Sequence, residues 1–303
     1  MSAKKGAMRE ALDWGTLAPL RLRARLAAEG VYAGMHRSAR RGAGVEFGGY
    51  REYTLGDDLR WLDRRSLLLH EKLVVRQFEM ETDRALVLVV DASASMAYRG
   101  GRAPGAKLAW ASLVGAALAR IAIASGDPVA LAFIGGDESA RAVPRGGGRE
   151  QFERILGALE SVDGGGDAHV DPSVLDRTLD AVVRSAGRGS IVVLLSDLLD
   201  LPSGAANRVS AIAARGRALV VVQTLDPDEA DLPFDGAVRL KAMEGEFVVE
   251  TDAAVTRSEY LEALERLRNE WERTLTSRGA RLVRAVTSDD PVHAVRGVVQ
   301  AAR

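Results

Sequence analysis

The chain has 303 residues, 47% of them hydrophobic and 27% charged, and its 41 Lys and Arg nearly balance 42 Asp and Glu. That is the composition of an ordinary globular protein, long enough for one large α/β domain or two smaller ones. A net charge of −1 gives no support to a surface built throughout for nucleic acid. With no cysteine, disulfides, thiolate metal sites, iron–sulfur clusters and a cysteine nucleophile are excluded.

The first 83 residues differ in texture from the rest. The start, "MSAKKGAMREALDWG", has a basic flank but no apolar stretch of about 7–15 residues behind it, so no signal peptide is expected and a cytoplasmic protein is. Leu17–Gly34 mixes leucines with arginines in a helix-like way. Residues 1–65 carry 13 Lys and Arg against 8 Asp and Glu, an excess that suits a solvated face. Arg40–Asp83 is rich in glycine, aromatics and paired charges, which predicts loops and short extended pieces. Within it, "LVVRQFEMET" (Leu73–Thr82) alternates in part, as an edge strand would. Residues 1–83 are therefore read as an N-terminal accessory segment packed on the domain that follows.

From Arg84 the pattern becomes regular. Ala85–Val90, Val129–Ile134, Ile191–Leu195, Ala218–Thr224 and Arg281–Val286 are short, continuously apolar runs, as expected of strands covered on both faces. Helical stretches separate them, near Lys107–Ala124, Arg149–Glu160, Pro172–Ser185, Ser203–Arg215, Thr256–Arg278 and Pro291–Ala301. This alternation over residues 84–303 predicts a doubly wound, mostly parallel α/β sheet. The uncharged run Leu108–Ala119 falls short of the ~20 residues a membrane span needs. Thr256 and Glu259 have capping-box spacing, and Tyr260, Leu264, Leu267, Trp271 and Leu275 then form one apolar stripe that Gly279 should end. Just before it, "VRLKAMEGEFVVET" reads as a hairpin turning at Glu244-Gly245.

The chemistry gathers at strand ends. "LVLVVDASASM" runs from a buried strand into Asp91, Ser93 and Ser95, spaced by small alanines, and "IVVLLSD" repeats the design with Ser196 and Asp197. In open α/β sheets, ligands sit outside the carboxyl ends of strands. A carboxylate with hydroxyls is a hard-oxygen set suited to Mg²⁺ or a similar cation, which keeps several waters and needs few direct ligands. Two acids brought close together also call for a cation or bonded water between them. The plainer alternative is that Asp91 and Asp197 cap the helices that follow. "SVDGGGDAHVDPS" adds Asp167 and His169 on a glycine loop that is able to approach the site or to remain in solvent.

These residues resemble the von Willebrand factor A domain: D-x-S-x-S after a first strand (Asp91, Ser93, Ser95), a glycine-rich loop, and a later strand ending in Ser196-Asp197. The resemblance implies a metal-ion-dependent adhesion site. The preceding stretch sharpens it. Arg51, Tyr53, Gly56, Asp57, Asp58, Arg60 and Asp63 are similar to the R-x-Y-x-x-G-D-D-x-R-x-x-D run of the bacterial domain-of-unknown-function family 58, which precedes a von Willebrand A-like domain. That resemblance implies a partnership with MoxR-type AAA+ ATPases, or with other von Willebrand A proteins, as adaptor or chaperone. Two positions depart from the pattern: Arg64 stands where the family usually has Trp, and Asp167 where the adhesion-site loop usually supplies Thr. An added carboxylate implies altered metal preference or a site used differently.

Enzyme readings fare less well. "GGRAPGAKL" has Gly100 and Gly105 at P-loop spacing, but Ala106 intrudes before Lys107 and Leu108 has no hydroxyl. A phosphotransferase with Asp91 as nucleophile would want an acid where Ser93 stands. His36, His70, His169 and His293 show no zinc spacing, and neither G-x-S-x-G nor G-x-G-x-x-G occurs. "GYREYTLGDDLRW" interleaves Arg with aromatics as an RNA surface does, but its acids oppose that use. The expectation is a non-enzymatic, divalent-metal-dependent protein-interaction module. Asp91, Ser93, Ser95, Asp167 and Asp197 would hold Mg²⁺, or else Mn²⁺ or Ca²⁺. A divalent-metal phosphohydrolase using Asp91 and Asp197 is the alternative.

Overall fold

A computed structural model describes Ala28, residues 84–136, 140–165, 172–241, 243 and 248–302, and the backbone of 46–52 and 74–79. The chain divides into two compact units, one spanning His36–Asp83 and the other including Arg84–Arg303. In the first, β1 (Glu46–Glu52) and β2 (Val74–Glu79) pair antiparallel, with an irregularity between Phe47 and Gly49. The strand expected within Leu73–Thr82 is thus present, as one half of a two-stranded ribbon. Of the helix expected at Leu17–Gly34 only Ala28, helical and buried, is described, and most of the Arg51–Asp63 motif lies outside the described residues.

The second unit begins with β3 (Leu86–Ala92) and a 3₁₀ turn, Ala94–Ala97. The chain continues through α1 (Lys107–Ala124), β4 (Val129–Gly135), β5 (Val143–Gly146), α2 (Gly148–Ser161), α3 (Pro172–Ser185) and β6 (Ile191–Ser196). It then passes α4 (Ala205–Ser210), β7 (Ala218–Leu225), α5 (Pro227–Asp231), β8 (Ala237–Lys241), β9 (Val248–Asp252), α6 (Ala253–Thr276), β10 (Arg281–Val286) and α7 (Pro291–Ala301). Six strands form one sheet in the order β10-β7-β6-β3-β4-β5. All neighbours are parallel except β5, which runs antiparallel to β4 at the margin. The expected doubly wound α/β architecture is what the chain adopts.

Continuous apolar strands follow from that architecture, because successive side chains point to opposite faces and both faces are covered. Leu86, Leu88 and Val90 pack with α1, α2 and α7 on one side, while Val87 and Val89 pack with α3, α4 and α6 on the other. Helix α1 is the deepest. Its 18 residues have a mean hydropathy of 1.5, enough by length and composition to cross a membrane, and 78% of it is buried against the rest of the protein. Gly115 faces the sheet, where an added Cβ would make ordinary van der Waals contacts, 3.9 Å from Leu88 Cδ1 and 4.0 Å from Val90 Cγ2.

Some local expectations are corrected. Helix α6 starts a turn before Thr256: Asp252 caps it by accepting from the Ala254 N–H at 2.9 Å, and Thr256 Oγ1 instead hydrogen-bonds Thr251 Oγ1. The stripe through Leu264, Trp271 and Leu275 is buried, and Gly279 (φ 73°) follows the helix end as expected. Ser203–Arg215 is no single helix. It divides into α4 and a 3₁₀ turn, Ala211–Gly216, interrupted by Ala214 and by Arg215 at φ 62°. β8 and β9 form the expected hairpin, and its turn lies outside the described residues.

Candidate functional site

The strand order reverses between β3 and β6: from β3 the chain builds outward through β4 and β5, then returns to place β6 on the other flank. Such a switch point leaves a crevice at the carboxyl ends of the two strands. The parallel register pairs Val90 with Leu195, so the next residues, Asp91 and Ser196, emerge side by side. Ser196 Oγ donates to Asp91 Oδ2 at 2.6 Å and accepts from the Leu198 N–H at 3.0 Å. Asp91 Oδ1 accepts from the Ser93 N–H at 3.0 Å. Leu198 is left with φ 66°, a left-handed conformation that costs a non-glycine residue about 1–2 kcal/mol.

Asp91 is 1% exposed. Burial first, and then the Asp197 charge, push its carboxyl up to about 6 against the hydrogen bonds from Ser196 and Ser93. Ser93 and Ser95 are buried with it, and their hydroxyl oxygens lie 3.2 Å apart. Adjacent ligands in an octahedron of oxygens around Mg²⁺ are about 3 Å apart, so both hydroxyls fit one such ion beside Asp91. Among the described residues no three His, Cys, Asp or Glu side chains converge on a point. One carboxylate with two hydroxyls is a donor set that fits a sparse, hydrated divalent ion. Neither Asp91 nor Asp197 caps a following α-helix; each accepts from the N–H two residues on.

The second acid has a different neighbour. Asp197 Oδ2 accepts from Lys107 Nζ at 2.7 Å, and its Oδ1 from the Leu199 N–H at 3.0 Å. Lys107 opens α1, is wholly buried, and also donates to Glu229 Oε1 at 2.5 Å with the Tyr98 ring 5.8 Å away. Burial acts to lower the lysine's pKa, but Asp197 and Glu229 outweigh it and hold the ammonium charged. Glu229 is raised by burial, with Lys107 opposing. Its other oxygen accepts from the Asp226 N–H, closing a capping box on α5. Tyr260 donates to the Glu229 carbonyl at 2.7 Å, and burial followed by the Glu229 charge pushes its phenol up to about 12.

The stretch that fails as a P-loop thus binds carboxylates. Gly100 and Gly101 N–H groups donate to Asp226 and Asp228, and Arg102 reaches Asp228, Asp231 and the Pro227 carbonyl. The opposite wall is the glycine loop. Gly165 N–H donates to the Ala92 carbonyl at 2.9 Å and Gly136 N–H to the Gly165 carbonyl at 2.8 Å. The described start of the Ser161–Ser173 loop, through Gly165, therefore lies against the β3 end, and Asp167 and His169 lie outside the described residues. A cavity of about 300 Å³ lies elsewhere, lined among others by Pro104, Trp110, Thr287 and Asp289, and none of Asp91, Ser93, Ser95 or Asp197 contributes to it.

Sequence reasoning missed Lys107 and Glu229 as parts of this site. The available signal was a lone charge opening the otherwise apolar "KLAWASLVGAALA".

Residues 49–270 match the family described as "Protein of unknown function DUF58". Relatives that are 30% identical over 272 residues, covering 86% of this chain and 81% of theirs, include Uncharacterized protein Rv1480 of Mycobacterium tuberculosis and Uncharacterized protein Mb1516 of Mycobacterium bovis. Among solved structures, "conserved hypothetical protein BatB" from Bacteroides thetaiotaomicron aligns at 16% identity and a TM-score of 0.45, covering 72% of this chain and 98% of that one. The "SpRpn10 VWA domain" aligns at 12% identity and 0.37, covering 70% and 93%. The family match runs from the arginine-rich stretch before the α/β unit through the Asp91, Asp197 and Glu229 positions and into α6, and the chain belongs to the DUF58 family.

Proposed function

We propose that this protein is a non-enzymatic interaction module whose binding depends on a divalent cation at the β3–β6 crevice. The observation that carries the reading is the pair of buried hydroxyls, Ser93 and Ser95, 3.2 Å apart beside Asp91 at the switch point. Ser93 Oγ, Ser95 Oγ and the Asp91 carboxylate would hold the ion, whose remaining positions stay open to water or to an acidic group of a partner. When bound, the cation supplies positive charge for that acidic group. The chain's own part is to orient the oxygens: Ser196 and the Ser93 N–H fix Asp91, and the 3₁₀ turn after Ser93 fixes the hydroxyls. Within this proposal the partner is a MoxR-type AAA+ ATPase, a choice that rests on the resemblance of the Arg51–Asp63 and Asp91–Ser95 motifs.

Thermal melting with added Mg²⁺ or Mn²⁺ tests the cation, because a ligand that binds only the folded state raises its midpoint. The midpoint rises in the wild type and stays fixed in Asp91→Ala; the same response in both would defeat the site. Purified MoxR-type ATPase should bind the wild type in Mg²⁺ and release it in chelator. Turnover of generic phosphoesters that Asp91→Ala abolishes would instead establish the phosphohydrolase alternative.

A further inference from the structure

We infer that Lys107 is a resident counter-cation that keeps Asp197 out of the ligand set of the proposed divalent-ion site. The inference rests on the cation reading above and names a determinant of that site's strength.

Both carboxylate oxygens of Asp197 are engaged, Oδ2 by the Lys107 ammonium at 2.7 Å and Oδ1 by the Leu199 N–H at 3.0 Å. The lysine is fully buried and holds a second acid, Glu229, at 2.5 Å. A lysine at the first position of a helix is electrostatically misplaced, since a helix N-terminus carries partial positive charge and favours anions. The two carboxylates overcome that penalty. Glu229 is itself immobilised by the capping box on α5, so it fixes the ammonium from the far side. The lysine therefore occupies the place on Asp197 that a metal would need.

The consequence is a division of labour between two neighbouring acids. Asp91, with Ser93 and Ser95, is the half that can take a divalent ion; Asp197 is already neutralised. Asp91 also has both oxygens hydrogen-bonded, but its donors, Ser196 and the Ser93 N–H, are neutral, and a site with one carboxylate that keeps its charge binds Mg²⁺ or Mn²⁺ weakly and leaves much of the ion's charge uncompensated. Releasing Asp197 should strengthen binding, because a second anionic oxygen in a buried, low-dielectric setting interacts strongly with a divalent ion.

The test compares wild type, Lys107→Met and the double variant Lys107→Met/Asp197→Asn by calorimetric titration with Mn²⁺. Lys107→Met should bind Mn²⁺ at least about tenfold more tightly than wild type, and the double variant should lose that gain. A lysine that merely packs would produce no gain that depends on Asp197. If Lys107→Met does not fold alone, Mn²⁺ restores its folding when Asp197 accepts the ion, and failure of that rescue overturns the inference. Equal Mn²⁺ affinity in wild type and Lys107→Met overturns it while leaving the cation reading intact. No Mn²⁺ response in any of the three proteins overturns the cation reading itself, and this assignment with it.

Discussion

Ser196 Oγ donates to Asp91 Oδ2 across 2.6 Å, joining the ends of two parallel strands that are 105 residues apart in the chain. The same oxygen accepts the N–H of Leu198, the residue held at φ 66°. One hydroxyl thus satisfies a buried carboxylate and steadies a strained turn. Ser196→Ala removes both bonds and should lower unfolding free energy by about 2 kcal/mol, the usual loss when a buried hydrogen bond to a charged group is broken. Urea denaturation measures it, and a loss under about 0.5 kcal/mol would show that the bond contributes little.

The Tyr260 phenol, pushed up to about 12 from its ordinary 10.0, predicts an alkaline signature. An acid raised in the folded state contributes stability that is fully present below its unfolded value and is lost as pH rises through the folded one. Wild type should therefore lose stability relative to Tyr260→Phe as pH climbs from about 10 to about 12, by roughly 2 kcal/mol on 1.36 kcal/mol per tenfold change in proton affinity. Parallel stability curves for the two proteins across that window would refute the assignment.

Two glycines predict opposite outcomes. A Cβ on Gly164 would stand 2.9 Å from Ala97 Cβ and 3.3 Å from the Ser93 carbonyl oxygen, so Gly164→Ala should push the glycine loop off the β3 end. The expected effect is a loss of about 1–3 kcal/mol, typical of overpacking, together with weakened Mn²⁺ binding. Gly157 lies within α2 with nothing within 4 Å of its added Cβ. Gly157→Ala should therefore gain about 1 kcal/mol from helix propensity alone. Melting curves of both variants decide, and a stabilised Gly164→Ala would mean that the loop does not press on the site.

Charge pairs at this end of the sheet should differ in weight. Arg102 reaches Asp228 and Asp231, but its side chain is 45% exposed. Water screens that guanidinium even where it meets the buried Asp228, so Arg102→Ala should cost far less stability than loss of a buried lysine. Lys107→Met strips a buried partner from Asp197, a change that typically costs about 3–5 kcal/mol. Reversed magnitudes in denaturant titrations would mean that the burial of these groups is misjudged.

What was legible beforehand follows from local pattern. Runs such as Leu86–Val90 and Val192–Leu195 are apolar at every position because both sheet faces are covered, and hydroxyl and carboxylate residues directly after them mark the strand ends. β5 escaped notice because Val-Pro-Arg-Gly carries neither length nor alternation, and Pro144 reads as a break. The Thr256–Glu259 spacing imitated a helix start, but Asp252 provided an earlier cap beside a strand end. The Lys107–Asp197 pair had no local signature at all. Its partners are 90 residues apart, and only the stacking of α1 over the β6 end brings them together.

The two margins of the main sheet bear on how molecules of this protein meet one another. β5 is four residues long, runs against its neighbour and contains Pro144, which has no N–H to offer. β10, at the far margin, presents exposed Arg281 and Arg284, the latter tethered to Glu272. Short, proline-bearing or charged borders deny an incoming strand its hydrogen-bonding template. Sideways stacking of these margins into a continuous ribbon is thereby discouraged, which sets the margins apart from the carboxyl ends of β3 and β6, where the proposed site lies.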